Sequence, residues 1–490
     1  MSTFCKSRII RIAVSLLLCL LIIRLGASAQ SERLQPVGPV PSAQQVAWQD
    51  MEFCLFMHFG PNTFTDLEWG KGTESEKVFN PTALDCRQWC RIARAAGAKG
   101  IIITAKHHDG FCLWPSKYST HTVRESPWKN GQGDVLRELS DACREYGLKF
   151  GVYISPWDRN HPAYGTPTYN DVFVNMMKEI FSNCGPIYEL WWDGANGEGP
   201  DGKKQVYDFR RYENAIREIS PKTVIFSDIG PDIRWVGNED GEAGETNWNL
   251  LDTAGFGRGA TAPPTDTLNR GNENGKYWIP AECDVSIRPG WFYHPKDDSA
   301  VKQPDQLMNL WLHSVGRGAN LLLNVPPNRD GLISFQDSAS LIGFKFLRDH
   351  FFGNNLAKSI SAVSSSEKII SLSRILLDGD PNTYWIPDDG SVAQTLEIEL
   401  PSTMPFNTVV MKEFLPLGQR IESFSIDLMD GGKWVPFASG TTVGHERIIP
   451  STTVMSDKIR INILKSKSVP VLSEVGVYNS ASGKFNPVNK

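Results

Sequence analysis

One aspartate, Asp193, stands where a carboxylate could take part in chemistry. The residues before it, from Ile187 to Trp192, form a short and nearly unbroken apolar run, which predicts a strand buried on both faces. Gly194 and the Gly-, Asn- and Pro-rich residues up to Pro200 cannot continue that strand. Asp193 then either caps the turn that follows the strand or serves as a catalytic carboxylate in an aromatic-walled pocket.

Polar or aromatic side chains also follow three other apolar runs that we interpret as strands. His58 follows the first run, the pair His107 and His108 follows the second, and Trp157 follows the third. Turn capping explains an aspartate after one strand, but it does not predict such residues after four strands in succession. We therefore favour the catalytic interpretation of Asp193.

The adjacent histidines His107 and His108 permit two interpretations. A metal site is one, but no Asp, Glu or His set at a recognised ligand spacing accompanies them, and adjacent strand residues point to opposite faces. Hydrogen bonding to hydroxyl groups suits these imidazoles better. We predict no metal in the site and no organic cofactor.

Alternating short apolar runs and amphipathic segments must position these residues. From Met51 to about Val325 the order is strand, polar loop and helix, repeated, which is typical of an α/β fold with a (β/α)8-like TIM barrel. The repeat is irregular between Gly237 and Pro304. In such a barrel the loops after the carboxyl ends of the strands carry the active site.

The chain begins with a segment that we interpret as a signal peptide over residues 1–29. Three basic residues precede a short apolar core, and Ala27-Ser-Ala29 supplies a small-x-small cleavage site. The apolar core is shorter than the ~20 residues that span a membrane. We expect a secreted or periplasmic protein without membrane insertion after cleavage. The net charge of -5 without a basic block argues against nucleic acid as a partner.

The catalytic barrel is predicted over residues 30–353, and a second domain over residues 354–490. Short alternating runs separated by turn signals predict an antiparallel β-sandwich there. The stretch from Leu376 to Trp385 resembles a loop of discoidin-like carbohydrate-binding modules, which can hold a structural calcium. Sugar binding, calcium binding and simple bracing of the barrel stay open for this domain.

Several separated motifs follow one another in order along the chain. They include Phe56-Met-His-Phe-Gly-Pro-Asn-Thr-Phe64, Thr104-Ala-Lys-His-His-Asp-Gly-Phe111, Tyr153-Ile-Ser-Pro-Trp157, Leu190-Trp-Trp-Asp-Gly194 and Ala281-Glu-Cys-Asp-Val-Ser-Ile-Arg-Pro-Gly-Trp-Phe292. Together they resemble the α-L-fucosidases of glycoside hydrolase family 29. The resemblance covers most of the chain to about Ala357 and also points to the subgroup that cleaves α-1,3- and α-1,4-linked fucose from branched, Lewis-type glycans. It implies hydrolysis with retention through a covalent fucosyl-enzyme.

Retaining hydrolysis needs two carboxyl groups about 5–5.5 Å apart. The resemblance implies that Asp193 is the nucleophile. The loop from Trp235 to Glu242 holds three acidic residues that physical reasoning alone does not rank, and a solvated charge cluster is the alternative interpretation of it. The Gly-x-Glu-x-Gly setting of the resembling subgroup selects Glu239 as the acid/base, with Glu282 as a competitor.

The resemblance also implies which residues bind the substrate. Fucose lacks a hydroxyl at C6, so its methyl group requires an apolar patch that aromatic side chains supply. Some residues are expected to hold the hydroxyls and one ring face, and others to line the walls. The set is His58, Glu68, Trp69, His107, His108, Trp157, Arg288 and Trp291.

The predicted function is therefore that of a retaining exo-α-L-fucosidase acting on a fucosylated oligosaccharide. A transfucosidase shares the covalent intermediate and stays an alternative. A catalytically degenerate fucose-binding protein is another alternative, and the presence of both Asp193 and Glu239 argues against it.

Overall fold

A computed structural model describes residues 35–363, 369–387 and 390–480. The signal peptide predicted over residues 1–29 lies outside the described residues. Within the described ranges, no helix has the length and apolar character needed to cross a membrane.

Eight parallel strands close into a barrel, which confirms the predicted fold. Around the barrel the order is β1, β10, β9, β6, β5, β4, β3 and β2, so the first and last strands pair with each other and no edge is left. Two further strands, β7 and β8, form a small antiparallel pair outside it. The strands are β1 (Phe53–Met57), β2 (Gly100–Lys106), β3 (Lys149–Ile154), β4 (Glu189–Trp192), β5 (Val224–Ser227), β6 (Ile233–Trp235), β7 (Leu250–Leu251), β8 (Tyr277–Trp278), β9 (Ala281–Ser286) and β10 (Asn320–Asn324).

Helices cover most of the outside of the barrel. Asp85, Asp134, Asp208 and Ser334 cap four of them, each accepting a hydrogen bond from a backbone N–H of the first turn. Their apolar faces pack on the outward side chains of the strands. The helices are α1 (Ala43–Gln49), α2 (Pro61–Thr65), α3 (Cys86–Ala95), α4 (Val135–Tyr146), α5 (Thr168–Cys184), α6 (Phe209–Ile219), α7 (Thr265–Arg270), α8 (Pro304–His313) and α9 (Phe335–Phe352).

The repeat breaks down between β5 and β9, where the sequence is irregular. Residues 228–232 join β5 to β6 without a helix, and residues 236–280 join β6 to β9 with only the short helix α7 and the β7–β8 pair. The outer helical layer is therefore incomplete between α6 and α8.

Helix α1 closes the amino-terminal end of the barrel. The indole N–H of Trp48 donates to Glu189 Oε2 at 2.8 Å, and that of Trp191 donates to Glu282 Oε2 at 3.0 Å. Burial raises the pKa of Glu189 to about 7. Burial, reinforced by the Glu189 charge, raises the pKa of Glu282 well above its usual range. A buried carboxyl pair therefore lies beneath the aromatic core of the barrel.

The second domain is antiparallel, as predicted. The long strands β13 and β16 pair along most of their length and shift register between Glu399 and Met404, so both strands contribute to each layer of the sandwich. Alternate side chains along these strands are buried in a separate apolar core. The elements are β11 (Ser359–Val363), β12 (Ile369–Ser371), α10 (Ser373–Leu376), β13 (Gln394–Glu413), β14 (Ile421–Asp430), β15 (Lys433–Gly440), β16 (Arg447–Ser466) and β17 (Leu472–Tyr478).

Candidate active site

The carboxylate of Asp193 lies immediately after β4, at the carboxyl end of the barrel. Its Oδ2 accepts the hydroxyl hydrogen of Tyr153 at 2.8 Å, and its Oδ1 accepts the backbone N–H of Ala195 at 2.7 Å. His108 Nε2 lies 3.7 Å from Oδ2. The side chain keeps 25% exposure, so the carboxylate is held by two donors and remains open to a ligand.

Three histidines gather beside Asp193. The rings of His107 and His108 lie 4.1 Å apart, and that of His58 lies 5.8 Å from His107. Strand β2 ends at Lys106, so the alternation of a strand does not separate the two adjacent imidazoles. They share one site, and the expectation that they point to opposite faces is wrong.

The side chains of Asn324 and Ser155 form hydrogen bonds with two of these imidazoles. His58 Nδ1 donates to Asn324 Oδ1 at 2.8 Å, and His108 Nδ1 bonds Ser155 Oγ at 2.8 Å. Burial lowers the pKa of His58 to about 3 and that of His108 to about 4, so both rings are neutral near pH 7. Because His58 donates through Nδ1, its neutral ring offers Nε2 as an acceptor for a hydroxyl hydrogen.

His107 presents a different polar atom. Its Nδ1 is buried and has no hydrogen-bond partner among the described residues. Its ring stacks on that of Tyr153 with centroids 5.8 Å apart. A buried polar atom without a partner is costly, so this imidazole has hydrogen-bonding capacity that the described residues leave unused.

Two tryptophans form one wall of the site. The Trp157 ring lies 4.8 Å from that of His108, and its indole N–H donates to the Glu198 carbonyl at 3.0 Å. The Trp157 ring packs directly on the backbone of Gly197. Only glycine fits there, because a Cβ atom at residue 197 would lie 2.1 Å from the ring. Trp69 meets both rings edge-on and is 57% exposed, so it offers an apolar face at the rim.

The opposite wall comes from the loop after β9. Glu68 accepts the backbone N–H of Trp291 at 2.7 Å and a hydrogen bond from His294 Nε2 at 2.6 Å. The Trp291 ring lies 5.0 Å from that of His58. Glu68 thus fastens the loop that carries Trp291, and its predicted contact with a sugar hydroxyl stays a prediction.

Glu239 lies at the rim next to Trp291, whose indole N–H donates to Glu239 Oε2 at 3.2 Å. Partial desolvation raises the pKa of Glu239, and the negative charge of Asp193 raises it further, while the Trp291 hydrogen bond opposes both effects. A raised pKa extends the protonated form of a carboxyl group to higher pH, and that form is the one a general acid uses. The antiparallel bridge between Asp240 and Val285 holds this loop against β9.

The position of Arg288 differs from the predicted contact with substrate. Its side chain is fully buried and pairs with Asp337 at 2.8 Å and Asp298 at 2.9 Å. The guanidinium also lies 4.7 Å from the ring of Tyr293. The structure therefore does not bring Arg288 to the pocket. It braces the segment that follows the Trp291 loop.

The competing acid Glu282 lies deeper, among the buried carboxyl and indole groups inside the barrel. Two residues further along β9, Asp284 is also buried and accepts the indole N–H of Trp235 at 2.8 Å. Burial, reinforced by the Glu239 charge, raises the pKa of Asp284 to about 8. Neither carboxyl shares the exposure of Glu239.

Sequence reasoning did not assign roles to Tyr153, Ser155, Asn324 and Asp284. Tyr153 and Ser155 follow the period of two that directs inward side chains along β3, which is the signal that could have found them. Nothing local in the sequence marks Asn324 as the partner of His58, because the two residues are 266 positions apart.

The proposed calcium loop in the second domain is closed by its own hydrogen bonds. Asp378 Oδ2 accepts the Thr383 hydroxyl at 2.8 Å, and Asp380 Oδ1 accepts the Asn382 backbone N–H at 2.9 Å. Within the described ranges no three His, Cys, Asp or Glu residues form a group that could hold a metal ion. Calcium binding at this loop stays a prediction.

Comparison with known proteins gives matches over both domains. Models of the alpha-L-fucosidase family and of the F5/8 type C domain match residues 27–345 and 359–475. Alpha-L-fucosidase 1 of Arabidopsis thaliana is 42% identical over 451 residues, covering 90% of this chain and 88% of the plant protein.

Solved structures support the same assignment. A Ruminococcus gnavus glycoside hydrolase family 29 fucosidase in complex with fucose has a TM-score of 0.83 at 30% identity, covering 92% of this chain and 96% of that one. A family 29 member from a rumen bacterium has a TM-score of 0.81 at 40% identity, covering 93% and 80%. The chain therefore belongs to the α-L-fucosidases of glycoside hydrolase family 29.

Proposed function

We propose that the protein is a retaining exo-α-L-fucosidase that removes α-1,3- or α-1,4-linked L-fucose from branched, Lewis-type glycans. The reaction uses two steps, with Asp193 as nucleophile and Glu239 as acid/base. It needs no organic cofactor, because two carboxyl groups and water supply all the bonds that change.

In the first step the Asp193 carboxylate attacks C1 of fucose. The bond between C1 and the glycosidic oxygen breaks, and that oxygen takes the proton of Glu239 as the rest of the glycan leaves. The hydrogen bonds from Tyr153 and the Ala195 N–H hold the carboxylate in one orientation. Such preorganisation lowers the barrier without a cost during the reaction itself.

In the second step water hydrolyses the fucosyl ester. Glu239, now ionised, removes a proton from the water, whose oxygen forms a bond to C1 while the bond to Asp193 breaks. Two inversions restore the original α configuration. The partly exposed position of Glu239 at the rim supports this step, because water reaches it directly.

The observation that carries the proposal is the contrast between the two carboxyl groups. Asp193 is held by two donors and stays open to a ligand, whereas desolvation and the Asp193 charge raise the pKa of Glu239. A fixed, accessible carboxyl group for attack and a second carboxyl group with a raised pKa are what retaining hydrolysis requires.

The surrounding groups fit a fucose ring. The neutral imidazoles of His58, His107 and His108 suit its hydroxyls, and the aromatic rings of Trp69 and Trp157 supply apolar surface for a ring face or for the C6 methyl group. A single sugar bound in this way agrees with exo cleavage.

The sequence supports the proposed linkage preference and the proposed cellular location of the enzyme. The segments that resemble the α-1,3/1,4 subgroup favour a branched glycan, and the exposed rim at Glu239 leaves room for its branches. The leader-like residues 1–29 favour a secreted or periplasmic enzyme.

The test is to follow product release by NMR with a Lewis trisaccharide, a linear α-1,2-fucosyl glycan and a simple aryl fucoside. We expect α-L-fucose as the first product, with the Lewis trisaccharide cleaved fastest. Initial release of β-L-fucose would exclude retention. Equal rates on all three substrates would remove the subgroup assignment, and binding without turnover would favour a degenerate lectin-like protein.

A further inference from the structure

A chain segment that is not helical lies where the outer helical layer of the barrel is incomplete, between α6 and α8. Residues 242–249, called here the junction segment, run between β6 and β7. Asn247 and Asn249 in it are 3% and 1% exposed. Backbone groups buried outside a helix or sheet need partners from elsewhere.

The β-sandwich supplies those partners. Thr442 Oγ1 accepts the Asn247 backbone N–H at 2.8 Å. Gln419 Oε1 accepts the Asn249 backbone N–H at 2.8 Å, and Gln419 Nε2 donates to the Asn247 carbonyl at 2.9 Å. Both sandwich residues are buried, at 1% and 2% exposure for Gln419 and Thr442, so water does not compete for these bonds.

The other end of the junction segment closes the loop that carries Glu239. Asn238 Nδ2 donates to the Glu242 carbonyl at 2.8 Å, and Asn238 Oδ1 accepts the Asp240 N–H at 3.1 Å. Asn269 Nδ2 donates to the same Glu242 carbonyl at 2.7 Å. The position of Glu239 therefore depends on where the junction segment begins.

The barrel and the sandwich also meet through the turn after α8. The Ile448 N–H donates to the Gly316 carbonyl at 2.9 Å, and Arg317 Nη1 donates to the Ala243 carbonyl at 2.6 Å. Arg447 Nη1 donates to the Glu245 carbonyl at 2.8 Å. The sandwich thus holds the junction segment at its middle and at its end, and Arg317 of the barrel, beside the Gly316–Ile448 contact, holds it near its start.

We propose that the β-sandwich positions the acid/base loop, with Gln419 and Thr442 as positioning residues for Glu239. The domain takes the place of the missing outer helix and keeps the Glu239 carboxyl at the leaving oxygen. This inference rests on the proposed role of Glu239. A displacement of about 1 Å at a catalytic group can cost up to about 10²-fold in rate.

The test compares Thr442→Val and Gln419→Leu with the unaltered enzyme on two substrates. Both variants remove acceptors of the junction segment and touch no substrate. We expect cleavage of a Lewis trisaccharide to slow by about tenfold or more, within the range of a misplaced catalytic group. Fucosylation by a strongly activated aryl fucoside should change far less, because that leaving group needs little protonation.

The pH profile gives a second readout. Away from its desolvated place near Asp193, Glu239 loses the desolvation and the Asp193 charge that raise its pKa, so the alkaline limb should move to lower pH. Asn407→Ala is the matched control. It breaks a buried hydrogen bond from Asn407 to the Ser480 carbonyl, at 3.0 Å within the sandwich, and should lower stability without substrate dependence.

Each outcome decides between the two proposals. If Glu239→Gln is substrate-selective but Thr442→Val and Gln419→Leu behave like Asn407→Ala, the positioning role is wrong and the acid assignment stands. If Glu239→Gln itself shows no substrate selectivity, both fall. Should Gln419→Leu fail to fold, Thr442→Val decides alone, because it replaces one hydroxyl by a methyl group of similar size.

Discussion

The hydroxyl of Tyr153 donates to Oδ2 of Asp193 at 2.8 Å, joining the ends of two neighbouring barrel strands. Burial, reinforced by the Asp193 charge, raises the pKa of Tyr153 well above its usual range. Tyr153 is therefore a permanent donor, and it orients one oxygen of the carboxylate while the backbone N–H of Ala195 orients the other.

Tyr153→Phe removes this donor and keeps the ring that packs on Trp191. We expect kcat/KM to fall by about 10–10²-fold, because the Asp193 carboxylate loses one of the two hydrogen bonds that orient it. Thermal unfolding should change little. Tyr118→Phe, at a 40% exposed position, is the control, and equal activity of Tyr153→Phe and wild type would show that the hydrogen bond does not matter.

Asp193→Ala should abolish turnover and leave the protein folded, because no other carboxylate stands in its place. Added azide should restore activity and give a product of inverted configuration, measured by NMR. Asp201→Ala, in the exposed loop that follows β4, should keep wild-type activity. More than a few per cent of the wild-type rate in Asp193→Ala would contradict the nucleophile assignment.

Glu239→Gln should slow hydrolysis of a Lewis trisaccharide by about 10²–10⁴-fold, the range of general acid catalysis. The first step on an activated aryl fucoside should slow far less, so the fucosyl-enzyme accumulates and a burst of aryl alcohol appears. Because the pKa of Glu239 is raised, the acid form persists to higher pH, and the alkaline limb of the profile should vanish in the variant.

Glu242→Gln and Glu282→Gln are the controls for that experiment. Glu242 faces His313 at 3.3 Å, and Glu282 is buried inside the barrel. If either variant, and not Glu239→Gln, shows the dependence on the leaving group, the acid/base is misplaced.

Glu189 should make stability depend on pH. Its folded pKa of about 7 lies above the unfolded value of about 4.5, so the folded state holds a proton that the unfolded state releases. The contribution of Glu189 to the free energy of unfolding should fall as pH rises from about 4.5 to about 7. The loss from this group is at most roughly 3.5 kcal/mol, from about 2.5 pKa units at about 1.4 kcal/mol each.

Glu189→Gln keeps an acceptor for Trp48 and removes the ionisable group. Urea unfolding at pH 5 and pH 8 should show a smaller difference than in the wild type. Glu399→Gln, at an exposed position, should leave the difference unchanged. An identical pH dependence in Glu189→Gln and wild type would show that the buried pair does not contribute.

Arg288→Leu should lower the free energy of unfolding by about 3–5 kcal/mol, because it leaves Asp337 buried without its partner. Arg288→Leu combined with Asp337→Leu should recover part of that loss. Arg460→Leu, which breaks the partly exposed pair with Asp427, should cost less, about 1 kcal/mol. A rise in KM without loss of stability in Arg288→Leu would mean that Arg288 contacts substrate.

The amino-acid sequence by itself determined the architecture and predicted Asp193 as a catalytic carboxyl group. Buried apolar runs and their period are local properties, so the strand before Asp193 and the strand before His107 could be predicted without tertiary information. The irregular stretch after Gly237 was likewise visible, because it lacks an amphipathic repeat. Glu239 required the family motif, since three acidic residues share its loop.

Only the tertiary structure decided which side chains meet. The motif that contains Arg288 is compatible with a substrate contact, but Asp337, 49 positions away, draws the guanidinium into the interior. Likewise, Asn324 and Gln419 are unremarkable polar residues until the fold places them beside His58 and Asn249. Hydrogen bonds and ion pairs between distant segments depend on packing distances that closure of the barrel sets, and no local pattern encodes those distances.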